Sequence, residues 1–198
     1  MARTIAKDHD EKRGQILAAA ARVFAEQGYD RASMSLLAKE CGISKANIYH
    51  YYDSKEALLF DMLDTYLRAL RDRIAGVDGA GLTPEEHLRA VVLEILLAYR
   101  GADDEHRVQI GGIAALPADQ QKVLRDYQKD LVAQVADIVR AVAPEVFGDD
   151  RRKLRAATMS VFGMLNWFYM WNHDDSAAAR RDYADLVTRL VLHGVRGL

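Results

Sequence analysis

Between Cys41 and Tyr52 the chain carries no carboxylate, yet it sets Lys45, Asn47, Tyr49, His50 and Tyr51 within seven residues. These side chains suit one kind of chemistry, donation of hydrogen bonds to a surface of acceptors. Lysine can bond to guanine edges and asparagine to adenine edges, while tyrosine and histidine can reach phosphate oxygens. Ile48 and Tyr52, four residues apart, can anchor such a helix inward. A small amphipathic helix with a solvated polar face would read the same way, so the surroundings decide.

Those surroundings form a compact pattern. Ser33 and Ser35 are N-cap candidates for a short helix carrying Leu36, Leu37 and Ala38 on its inner side. Cys41-Gly42 ends it, glycine tolerating the left-handed backbone that a helix C-terminus commonly needs. Ile43 is the expected buried turn residue, and Ser44 caps a second helix from Lys45 to about Tyr52. Two short helices joined by a tight glycine turn make a helix-turn-helix, whose second helix enters the DNA major groove.

The flanking residues extend the pattern. Gln15-Ile16-Leu17-Ala18-Ala19-Ala20, Phe24-Ala25-Glu26-Gln27-Gly28-Tyr29, Ser33-Met34-Ser35-Leu36-Leu37-Ala38 and the run from Gly42 to Leu59 together resemble the DNA-binding domain of TetR-family repressors. The Gly-Tyr corner, the Ser-Lys before the recognition helix and the closing Lys-Glu-x-Leu-Leu carry the likeness. It implies that Lys45, Ala46 and Asn47 face bases of double-stranded operator DNA. It likewise implies that Ser35, Ser44, Tyr49, His50 and Lys55 hold phosphates, with Ser33 and Tyr51 counted in the same DNA-facing set. The family usually has an aromatic residue where Tyr52 stands, so that position is expected in the core.

The whole chain bounds these readings. Its 198 residues suffice for one or two domains with a real core, and a 28% charged, half-hydrophobic composition is ordinary for a folded soluble protein. Helical spacing dominates and alternating β-branched runs are absent, which predicts an all-α fold of about nine helices. The expected division is residues 1–53 for DNA binding and 54–198 for a helical ligand-binding and dimerisation domain. A single cysteine, Cys41, excludes an intramolecular disulfide framework, and no membrane span or signal peptide is visible; a cytoplasmic protein is expected. Residues 1–55 hold nine Lys/Arg against seven Asp/Glu, and the remainder eighteen against twenty-two, so the DNA-binding end is the less acidic one.

In chain order, residues 1–10 lack a period and read as a mobile arm from which Arg3 and Lys7 could touch DNA; Arg13 is either a phosphate contact or a solvated arginine. A first helix from Glu11 stops at Gly28, and a long fourth helix runs from near Ser54 to about Ile74. Thr83-Pro84-Glu85-Glu86 is a strong helix start. A short helix from about Asp103 to Ala115 meets an irregularity at Gly111-Gly112, and another, opened by Leu116-Pro117, stops before Pro144. An eighth helix containing TMSVFGMLNWFYMWNH is apolar on every side, so dimer packing or a ligand cavity must cover it. Arg180 to Leu198 makes a last amphipathic helix. By the resemblance, the last two helices pair with their copies in a homodimer.

Phe162-Gly163-Met164-Leu165-Asn166-Trp167, with Trp171 one turn on, resembles a segment of the acyl-CoA-sensing branch of the family, as do His106-Arg107-Val108 and Leu116-Pro117. This implies no cofactor but an acyl-CoA effector that releases DNA, phenylacetyl-CoA before fatty acyl-CoAs. Met164, Trp167, Phe168 and Trp171 are the pocket candidates, and Asn166 is a donor to the thioester carbonyl. Arg107, Lys122 or Arg125 would meet the CoA phosphates. Arg107 and Asn166 making structural bonds instead is nearly as good a reading. A drug-responsive repressor and a purely structural helical dimer are the rivals among non-enzymes. An enzyme finds no support: there is no phosphate loop, no nucleophile elbow and no metal spacing among the six scattered histidines.

Overall fold

The computed structural model describes residues 2–195, with side chains from residue 9 to residue 194. Every regular element among them is helical. α1 (Ala2–Gln27), α2 (Met34–Glu40), α3 (Lys45–Tyr51), α4 (Lys55–Ala75), α5 (Pro84–Ala98) and α6 (Asp103–Gly112) are followed by a 3-10 turn at Ile113–Ala115. Then come α7 (Ala118–Val142), α8 (Pro144–Phe147), α9 (Arg151–Asn166), α10 (Phe168–Trp171) and α11 (Ala177–Val195). The excess over nine helices consists of two single turns, α8 and α10. No described helix is long and apolar enough to cross a membrane.

Where an arm was expected over residues 1–10, residues 2–10 are instead the opening of α1, because no proline or glycine interrupts residues 2–13. The side chains of Arg3 and Lys7 lie outside the described ones. The single eighth helix expected after Asp150, with the apolar run from Thr158 to His173 inside it, is also corrected. It breaks at Trp167 (φ −94°, ψ −3°), and the bend turns Phe168 inward to 2% exposure.

The chain forms two compact units, whose limits differ from a boundary after residue 53. The first comprises residues 1–67 and 103–125. Ile16, Ala20, Val23 and Phe24 of α1, Leu37 of α2, Ile48 of α3, and Leu58, Leu59, Met62 and Leu63 of α4 make its core. α6 packs against α1 and reaches α4 as well. A Cβ on Gly112 would lie 3.4 Å from Leu59, and Tyr66 Oη and His106 Nδ1 are 3.1 Å apart.

The second unit comprises residues 68–102 and 126–198. α5 and α11 lie side by side with α9 packed on both. Leu88, Val92, Ile95 and Leu96 of α5, Val161 and Leu165 of α9, and Val187 and Val191 of α11 are buried and make its core. α5 starts with the expected capping box. Thr83 Oγ1 accepts from Glu86 N (3.2 Å), and the Glu86 carboxylate accepts from Thr83 N (2.8 Å). The bonds that Thr83 donates to the carboxylate, from its main-chain N–H and then from its hydroxyl (3.0 Å), hold the Glu86 carboxyl below the usual carboxylate range. A depressed folded-state pKa contributes stability above the unfolded value, about 4.3, that is lost as pH falls through the folded one. Thermal melts of Glu86→Gln should therefore fall below wild type at neutral pH, and the gap should close below about pH 4.

Candidate nucleic-acid interface

α2 and α3 are held at their angle by backbone bonds that the sequence dictates. Ser33 Oγ accepts from Leu36 N (3.2 Å) and opens α2. At its other end Gly42 takes φ +64°, Gly42 N donates to Lys39 O (3.1 Å) and Ile43 N to Ala38 O (3.0 Å). That pair of bonds is a Schellman closure, which needs a left-handed residue at Gly42. Ser44 Oγ accepts from Asn47 N (3.1 Å) and opens α3. A hydroxyl that accepts at a helix cap still has its O–H to donate, so Ser33 and Ser44 remain competent phosphate donors.

α3 is anchored through Ile48, its one buried residue. Lys45, Ala46, Asn47, Tyr49 and His50 are exposed, as is Ser35 on α2. The expected base-facing residues Lys45, Ala46 and Asn47 are thus exposed, on a helix that carries no acidic residue. Two inner-face expectations are corrected. Ile43 and Leu36 are only half-buried, and Met34 fills the inner position of α2. Tyr51 is half-buried as well, its ring stacked on His9 of α1 with centroids 4.9 Å apart. Tyr52 is in the core, as expected.

Two polar clusters brace this surface, and the sequence reading missed both. Asp61 of α4 accepts Nε (2.9 Å) and Nη2 (2.5 Å) of Arg13 through its two oxygens, and the Tyr52 hydroxyl donates to it at 2.6 Å. Arg13 Nη2 also donates to Thr65 Oγ1 (3.2 Å). Arg13 is thus a half-exposed partner of Asp61 rather than a wholly solvated arginine. Burial, then the Asp61 bond, pushes the Tyr52 phenol far above its usual range. One signal was available: Asp61 is an acid among Leu58, Leu59, Met62 and Leu63 on a core helix.

Lys55 is the second correction. Its three N–H donors are taken by the main-chain oxygens of Tyr29 (2.7 Å), Ala32 (3.0 Å) and Asp30 (3.3 Å), with Nζ 4.2 Å from the Tyr29 ring centroid. An ammonium has only three donors, so Lys55 ties the loop after α1 to α4 and is not a free phosphate ligand.

The effector candidates divide. Met164 and Asn166 are half-buried and Phe168 is buried. Asn166 Oδ1 accepts from the Tyr99 hydroxyl (2.9 Å), which leaves its amide N–H groups as the donor end. Trp167 and Trp171 are 57% and 54% exposed, so they do not line an enclosed cavity within this chain. Met159, Met170, Leu186 and Leu190 are exposed apolar side chains on the same group of helices, α9 to α11. Arg107 is exposed on α6 of the first unit, and Lys122 and Arg125 are exposed on α7.

The Lys55 assignment has a direct check. Lys55→Met should lower folding stability by about 1–2 kcal/mol, since three carbonyls lose a charged donor. Its DNA affinity should keep the wild-type salt slope; a phosphate ligand would reduce that slope by about 0.9 for each copy of the chain bound.

Residues 16–62 match the family described as bacterial regulatory proteins, tetR family, and residues 81–195 match the tetracyclin repressor-like C-terminal domain. The HTH-type regulator YuxN of Bacillus subtilis (strain 168), itself described as uncharacterized, is 38% identical over 93 residues, or 46% of this chain and 32% of that protein. Across the first three curated relatives the match spans 32% to 58% of their length. A TetR-family transcriptional regulator from Bordetella parapertussis 12822 shares the fold at a TM-score of 0.85 and 35% identity, covering 94% of this chain and 96% of that one. AibR in complex with isovaleryl coenzyme A and operator DNA gives 0.73 at 23% identity, covering 91% and 98%, a likeness of fold. With both segments matched and a near full-length relative above 30% identity, the chain belongs to the TetR family of bacterial transcriptional regulators, which are not enzymes.

Proposed function

We propose that this chain is a ligand-responsive repressor that binds palindromic operator DNA as a homodimer and is released by an acyl-CoA thioester. The DNA half of the reading rests on the exposed, acid-free face of α3. Lys45, Ala46 and Asn47 face bases there, while Ser33, Ser35, Ser44, Tyr49 and His50 take phosphates. One α3 enters one major groove; a two-fold partner supplies the second about 34 Å along the duplex.

The homodimer reading is supported by the apolar surface that α9 to α11 leave uncovered. Met159, Trp167, Met170, Leu186 and Leu190 are each between 44% and 57% exposed. A monomer rarely leaves so many large apolar side chains together, and a self-complementary patch across a two-fold axis would bury them. Trp167 and Trp171 belong to this reading rather than to the acyl pocket.

The effector reading rests on the Phe162–Trp167 segment and on the shared fold with AibR, whose structure contains isovaleryl coenzyme A. Phenylacetyl-CoA is the favoured effector and fatty acyl-CoAs follow. Within the second unit, Met164 and Phe168 supply apolar contact and the amide of Asn166 donates to the thioester carbonyl. α4 follows α3 directly and sets the spacing of the two recognition helices. A ligand shifts that spacing only by binding the released form more tightly.

Fluorescence anisotropy on the gene's own upstream DNA tests both halves. The titrants are phenylacetyl-CoA, isovaleryl-CoA, medium- and long-chain acyl-CoAs, free CoA and the free acids. Release by a thioester, and by neither CoA nor acid alone, is expected. Tight binding that no thioester disturbs would remove the acyl-CoA effector and favour a hydrophobic drug-type one. No specific binding to that DNA would remove the repressor of its own promoter.

A further inference from the structure

Along its outer side α11 carries Asp182, Leu186, Arg189, Leu190 and His193, which recur at three- and four-residue steps and are all exposed. The inner side is engaged by the chain itself. Ala184, Val187 and Val191 are buried, and Tyr183 Oη donates to the main-chain oxygen of Met164 on α9 (3.0 Å). The outer charges are not engaged in the same way. Asp182 forms no hydrogen bond or ion pair among the described residues. Arg189 lies within the field of Asp185, but that carboxylate is gripped by both prongs of Arg89 (2.7 and 3.0 Å). Two opposite charges thus stand seven residues apart with Leu186 between them.

On α9 a glycine is equally unexplained from within the chain. Gly163 stands in the interior of a 16-residue helix, where glycine costs about 1 kcal/mol relative to alanine. A Cβ built there would meet nothing within 4 Å, so no close approach inside the chain calls for glycine. Gly163 is exposed, and one turn earlier Met159 is 45% exposed on the same side of the helix. A long apolar side chain and an empty space lie next to each other on one face.

A surface that meets its own copy across a two-fold axis must be self-complementary, so that each residue of a pair meets the other twice. Both features satisfy this about a single level. Asp182 and Arg189 are centred next to Leu186, three residues along α11 from Tyr183; Met159 and Gly163 are centred on Val161, three residues back along α9 from Met164. We propose that α11 lies antiparallel on α11 of a second copy, Asp182 of each chain pairing with Arg189 of the other and Met159 of each filling the space over Gly163 of the other. This rests on the homodimer reading and adds to it the register, which the exposed apolar side chains alone leave open. Charged pairs flanking an apolar seam between helices set partner choice and orientation. A regulator with like charges at these two positions is repelled from the face.

Sedimentation equilibrium of the full chain, without DNA, is the test. Asp182→Arg and Arg189→Asp each set like charges opposite one another twice per dimer, and each should weaken dimerisation roughly tenfold or more at low salt. An equimolar mixture of the two variants restores both pairs in a heterodimer and should return to near wild-type affinity. Gly163→Leu, for which the chain itself has room, should weaken the dimer as well. Reversed chains that dimerise like wild type, or a mixture no tighter than its components, would overturn the register and leave the homodimer standing. A wild-type chain that stays monomeric would instead remove the homodimer reading and the register with it. Should a reversed chain fail to fold, Gly163→Leu decides: an undiminished dimer rejects the axis.

Discussion

Everything the exposed face of α3 can do depends on one carboxylate. Asp61 joins Arg13 of α1 to α4 through a two-pronged ion pair and, through the Tyr52 hydroxyl, fixes the residue that closes α3. Three elements are thereby held by one side chain. The side chains of Arg13 and Asp61 are 35% and 25% exposed, so solvent discounts their attraction. Geometry is the greater contribution. A planar fork on a planar carboxylate fixes both distance and orientation, which apolar contacts between α1 and α4 leave loose.

Lys55 has the same role at the start of α4. By gathering the main-chain oxygens of Tyr29, Asp30 and Ala32 it ties down the loop after α1. The two clusters resolve a tension in the design of the reading helix. α3 has seven residues and one buried anchor, Ile48, because nearly every other side chain must face outward. A helix so short has little stability of its own. Its position is imposed from behind, by charged groups that the outward face does not use.

Local signals in the sequence were enough for the short helices and their caps. Ser33, Ser44, Thr83 and Gly42 act within four residues of themselves, and each cap stands where its residue type requires. Pairings across the chain were not legible in that way. Arg13 and Lys55 carry the right charge for phosphate, and only their distant partners, Asp61 and the Tyr29–Ala32 carbonyls, assign them inward. α6 shows the same limit on a larger scale: it lies far along the chain yet packs with α1 in the first compact unit. The apolar run around Trp167 illustrates a different one. Periodicity reports that a side chain avoids water, and cannot distinguish a pocket from a surface that a second copy would cover.

The claim that α3 reads sequence is tested most directly by selection from randomised duplex DNA, run in parallel on wild type and Asn47→Ala. Wild type should enrich a palindrome. The variant should lose its preference at one symmetry-related pair of positions, adenine in wild type, at a cost of about 1–3 kcal/mol per half-site. Enrichment of no common sequence, or an identical preference in both proteins, would contradict the account.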